Sequence, residues 1–99
     1  LKEFFWIELI NQESEKQNYI QAAKIAENAI SKMPNNQNLK RIKNQCLKNH
    51  GITILNKIVP LVNSKNYSQA IKILEEGLKE NPNSIEIKND LNRLKKFAY

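Results

Sequence analysis

Cys46 and His50 stand four residues apart, one turn of a helix, where a thiolate and an imidazole could share a metal ion or act as nucleophile and base. They are the chain's one cysteine and one histidine, and two ligands are half of what a structural zinc site uses. A cysteine nucleophile would also want a third group to orient its base, and none can be named. Cys46 is therefore expected to be a plain buried residue, and His50 a helix-end or surface residue. Glu13 with Glu15, and Glu75 with Glu76, read as charge neighbours on solvated helix faces rather than as an acid and its base. Gly51 and Gly77 are isolated, so there is no glycine-rich phosphate loop. These residues predict a protein that is not an enzyme and that holds no metal or cofactor.

The net charge of +6 raises the question of a phosphate-bearing partner, because clustered Lys and Arg attract nucleic acids and anionic surfaces over long range. Lys40, Arg41, Lys43 and Lys48, with Arg93, Lys95 and Lys96, are the candidate basic set, but no aromatic residues are interleaved for base stacking. Asn, Lys and Ile together make 42 of the 99 residues, a bias that an A/T-rich genome produces without selection for binding. Solvated helix faces are the simpler account of the lysines. With a single cysteine no internal disulfide can form, and no run of about 18 apolar residues exists to span a membrane. The chain opens "LKEFF", with neither an initiator Met nor a basic-then-apolar signal pattern, so it is expected to be a piece of a larger cytoplasmic protein.

Two glycines and three prolines among abundant Leu, Ile, Lys, Glu, Gln and Ala predict an all-α fold, since these side chains lose little freedom in a helix. The pattern divides into about five helices. The first, from Lys2 to about Glu15, is apolar around most of its circumference, with Phe4, Phe5, Trp6, Ile7, Leu9 and Ile10, and should be covered on more than one side. The second runs from Tyr19 to Pro34 with Ala22, Ala23, Ala26 and Ala29 on its packing face. Asn35 and Asn36 can cap a third, long helix from about Asn38 to Asn63, which carries Leu39, Ile42, Cys46 and Leu47 inward, passes through Gly51, and should bend at Pro60. The fourth spans Tyr67 to Glu80, and Asn83 with Ser84 precede a fifth that carries Ile87, Leu91, Leu94 and Phe97.

The second and fourth helices are copies. Across residues 18–35 and 66–83, nine of eighteen positions are identical at an offset of 48 residues: Asn18/Asn66, Tyr19/Tyr67, Gln21/Gln69, Ala22/Ala70, Lys24/Lys72, Ile25/Ile73, Glu27/Glu75, Pro34/Pro82 and Asn35/Asn83. Self-similarity of this kind marks stacked helical units that cannot bury their apolar faces alone. Tyr19-x-x-Ala22 with Ala29 and Pro34, and Tyr67-x-x-Ala70 with Gly77 and Pro82, resemble the second helix of the tetratricopeptide repeat, and Trp6 and Leu9 match aromatic and leucine positions of its first. That family recurs every 34 residues or about that; the surplus here corresponds to about four helical turns, which would lengthen one helix while keeping its apolar stripe in phase. Ile10 and Ile58 stand where the family has a small residue, and Lys57 replaces its second leucine.

The resemblance implies a right-handed stack of antiparallel helices, one domain built of a repeat over about residues 2–50 and another over about 51–99. It also implies a non-catalytic scaffold that binds a peptide or a partner helix on the side formed by the odd-numbered helices. Asn11, Asn56, Asn63, Asn89 and Arg93 are the candidate polar contacts on that side. The family's carboxylate-clamp variant does not fit, because Ile7 occupies one of the places for a basic residue and Glu86 and Asp90 put negative charge on the last helix. Phe4, Phe5 and Trp6 form a candidate apolar interface, for a preceding repeat or a second copy of the chain, with burial in the domain's own core as the alternative. A basic module touching nucleic-acid backbone and a structural self-association element are the alternatives.

Overall fold

The computed structural model describes residues 2–98 of the chain. It contains five helices and, among the described residues, no strand: α1 (Glu3–Glu15), α2 (Tyr19–Lys32), α3 (Gln37–Asn63), α4 (Tyr67–Glu80) and α5 (Ile85–Ala98). The helix ends follow from local chemistry. After α1, Gln17 turns into the left-handed region at φ 62°, and the amides of Gln17 and Asn18 donate back to the carbonyls of Ser14 and Glu13 at 2.9 Å each. Lys65 does the same at φ 62°, and there the amides of Lys65 and Asn66 donate to Val62 and Leu61 at 3.0 and 2.7 Å. This is the hydrogen-bond pattern that closes a helix and reverses the chain. Both positions usually favour glycine, and both are filled here by long polar side chains.

Pro34 and Pro82 sit just after the stops of α2 and α4, preceded by Met33 (φ −133°, ψ 68°) and Asn81 (φ −138°, ψ 70°), which end each helix in nearly the same conformation. The next helices are capped by side chains that accept from their first turns. Asn36 Oδ1 accepts from the Leu39 amide at 3.0 Å, and Ser84 Oγ accepts from the Ile87 amide at 3.3 Å. The third helix runs without a break through Gly51 and Pro60, so His50 lies inside a helix rather than at its end and is buried, not exposed as its sequence setting suggests.

The chain divides into two compact units, Leu1–His50 and Gly51–Tyr99. Every helix boundary recurs at the 48-residue offset: α2 maps onto α4, residues 37–50 of α3 onto α5, and α1 onto residues 51–63 of α3. Each unit is thus three helical segments, and the surplus over a two-helix repeat is the third of them. In the first unit α1 packs on α2, and Trp6, Ile10, Ala22, Ala23, Ala26, Ala29, Leu39 and Cys46 form the core. The four alanines let the helices approach closely. In the second unit α4 packs on α5, and the core is Ile54, Ile58, Ala70, Ile71, Leu74, Ile87, Leu91 and Leu94. Trp6 and Ile54 occupy the same repeat position, as do Ala29 and Gly77. A Cβ at Gly77 would lie 3.1 Å from both Cγ atoms of Ile54, so the larger side chain on one helix is matched by the missing one on the other.

One polar pairing has moved between the units. In the first, the Glu3 carboxylate accepts from the side-chain amides of Asn36 and Asn38, which holds its pKa below the usual glutamate value. In the second, glycine stands at the position of Glu3, and the carboxylate is supplied by Glu86, where the first unit has Asn38. Ser84 Oγ lies 3.4 Å from Glu86 Oε1, and a Cβ at Gly51 would come within 3.0 Å of that hydroxyl.

Candidate functional site

In the first unit α1 and the first half of α3 enclose an open cleft of about 290 Å³. One wall is Arg41, Gln45 and Asn49 of α3, spaced i, i+4, i+8 and therefore on one stripe of the helix; the other is Asn11 and Ser14 of α1. Ile10, Ile42 and Cys46 make the floor. The apolar periodicity that packs Ile10 and Cys46 into the core fixes the rotation of both helices, and so brings these polar stripes face to face. Among the described residues, Arg41 is the one charged residue lining the cleft. Its guanidinium donates to the side-chain oxygen of Asn38, whose amide nitrogen in turn donates to Glu3 at 3.1 Å. Gln45 donates to Asn49 Oδ1 at 3.0 Å, which orders the wall.

Cys46 is buried beneath the cleft with its thiol 4.0 Å from Ser14 Oγ. Burial pushes the thiol's pKa up, outweighing the hydroxyl, so the reactive thiolate is disfavoured. No group of three or more potential metal-ligating side chains exists among the described residues.

Of the residues singled out from sequence, Asn11 lines this cleft. Asn56, Asn63, Asn89 and Arg93 lie in the second unit and are all exposed. Asn89 and Arg93 share one face of α5, at the positions that Arg41 and Gln45 hold in the first unit. Arg93 donates to Asp90 Oδ1 at 2.8 Å. Asn56 and Asn63 correspond to Glu8 and Glu15, which do not line the first unit's cleft. Sequence reasoning missed Arg41, Gln45 and Asn49 as a set, although the 48-residue offset carries Asn89 and Arg93 onto two of them.

The aromatic cluster separates on folding. Phe4 is 73 % exposed and Phe5 44 %, whereas Trp6 is 6 % exposed and belongs to the core, so it presents no interface. The rings of Phe5 and Trp6 meet edge to face, with centroids 6.0 Å apart, and among the described residues the Trp6 indole N–H has no hydrogen-bond partner. In the basic set, Lys43 is part-buried and lies 3.8 Å from Glu27. Among the described residues no helix is long and apolar enough to cross a membrane. No family model, curated protein or solved structure matches the chain.

Proposed function

We propose that the chain is a non-catalytic protein-interaction module, tetratricopeptide-like in its repeat, whose first unit takes a partner peptide or helix into the cleft between α1 and α3. The observation that carries this reading is the lining of that cleft: side-chain amides of Asn11, Gln45 and Asn49 from two helices over a floor of Ile10 and Ile42. Each such amide both donates and accepts, as the main chain and side chains of a polypeptide do, and the floor offers apolar contact. The raised thiol pKa at Cys46 argues against nucleophilic chemistry at this site.

The test is selection from a displayed random-peptide library, followed by fluorescence anisotropy with a selected peptide. Asn11→Ala and Gln45→Ala should each weaken binding roughly 2- to 10-fold, the worth of one hydrogen bond of about 0.5–1.5 kcal/mol. The same scan at Asn56, Asn63, Asn89 and Arg93 asks whether the second unit contributes. A library that yields no peptide sensitive to any of these six positions refutes the reading. Tight, steeply salt-dependent retention of single-stranded RNA by the same chain would favour the nucleic-acid alternative instead.

A further inference from the structure

We infer that the α1/α3 cleft of the first unit receives a phosphorylated serine or threonine side chain of its partner, with Arg41 as the charge-bearing contact. The inference rests on the interaction reading above and is separable from it.

The two units differ in what the arginine on their last helical segment is bonded to. In the second, Arg93 is paired at 2.8 Å with Asp90. In the first, Gln45 holds the position of Arg93 and Ile42 that of Asp90; Arg41, at the position of Asn89, donates to the neutral amide of Asn38, three residues back as Asp90 is from Arg93. Among the described residues, no acidic residue lines the cleft. Arg41 is exposed and lines the cleft, so N–H donors of its fork beyond the one bonded to Asn38 face solvent there. Across from it stand the Asn11 amide and the Ser14 hydroxyl, and along the same stripe the amides of Gln45 and Asn49.

One guanidinium facing a side-chain amide and a hydroxyl across a cleft suits an anionic ligand rich in acceptors. A phosphate monoester carries about −1.5 to −2 charges and three acceptor oxygens, more than a carboxylate offers, and an arginine fork meets it bidentately. Nucleic acid fits less well, because it presents phosphates in series whereas, among the described residues, one cation lines this cleft. The net charge of +6 would steer an anionic segment toward the chain without selecting the place where it binds.

The experiment compares three labelled peptides of one Gly/Ala-rich sequence, with central phosphoserine, aspartate or serine, by anisotropy in 150 mM salt, a concentration at which the Debye length is about 8 Å. The phosphoserine peptide should bind at least roughly 10-fold tighter than either other peptide, which corresponds to about 1.4 kcal/mol, and inorganic phosphate should compete. Arg41→Gln should reduce the preference to under about 2-fold, and Arg93→Gln should leave it unchanged. Both residues are exposed, and far-UV circular dichroism confirms that each variant folds. A preference that survives Arg41→Gln, or is lost equally in Arg93→Gln, overturns the assignment. So does equal binding of the aspartate peptide, or tighter binding of oligo-uridine RNA. If display-selected unphosphorylated peptides need Asn11 and Gln45 while phosphate adds nothing, this inference falls and the interaction reading stands.

Discussion

Replacing Gly77 with alanine sets two effects of opposite sign against each other. In a helix interior, Gly→Ala ordinarily gains about 0.8–1 kcal/mol. Gly77, however, is buried against Ile54, and an added Cβ would lie 3.1 Å from both Cγ atoms and 3.3 Å from Cδ1 of that side chain. Ile54 is itself 6 % exposed and β-branched, so its χ1 is confined to one favoured rotamer in a helix and it cannot swing aside. Overpacking of this kind costs about 1–3 kcal/mol. The net expectation is a loss of about 1 kcal/mol, seen as a fall of roughly 4–8 °C in Tm for a chain of this size.

The repeat supplies the control. Ala29, at the same position in the first unit, belongs to the core that contains Trp6, and Ala29→Gly should also destabilise, by about 1–2 kcal/mol from lost propensity and a lost buried methyl. Urea unfolding followed at 222 nm, with matched m-values, measures both. A Gly77→Ala variant more stable than the parent by over about 0.5 kcal/mol would refute the close approach of α4 to Ile54, because propensity would then have gone unopposed.

Gln17→Gly and Lys65→Gly should each stabilise by about 0.5 kcal/mol, since leaving the left-handed region relieves about 1–2 kcal/mol of strain and glycine's added freedom in the unfolded chain returns much of it; thermal melts that show unequal shifts for the two would contradict the matching backbone. Glu3 titrates below its ordinary range, so its contribution is present above the unfolded-state pKa of about 4.3 and is lost as pH falls through the lower folded value; Glu3→Gln should therefore flatten the acid limb of Tm against pH, and an unchanged slope would sink that linkage. Ser84→Ala removes a cap that is itself buried and should cost about 1–2 kcal/mol in urea unfolding, while Gly51→Ala crowds the same hydroxyl and should destabilise less when Ser84 is already alanine.

Much of the architecture is legible in local chemistry. Pro34 and Pro82 stop helices wherever they occur, Asn36 and Ser84 cap with their own side chains, and the spacing of Ala22, Ala26 and Ala29 or of Ala70, Leu74 and Gly77 marks a packing face without knowledge of what it packs on. These effects act within a few residues, so sequence alone determined five helices, their boundaries to within a residue or two, and the 48-residue repeat. Asn11 was legible as a polar contact for the same reason, as a register position on the first helix.

What tertiary structure decided is which neighbours those faces acquire. "FFWIEL" is apolar on several sides, and only packing against α2 and α3 chose Trp6 and Ile10 for the core and left Phe4 and Phe5 outside. His50 is expected at a helix end or on the surface, and packing buries it inside α3. The cleft formed because the rotations of α1 and α3, each set by burial of its own apolar stripe, aimed Asn11 and Ser14 at Arg41, Gln45 and Asn49 across more than twenty residues of chain. No spacing rule within one helix encodes that pairing. Arg41 and Arg93 each reach back three residues along their helix, Arg41 to the side-chain oxygen of Asn38 and Arg93 to the carboxylate of Asp90.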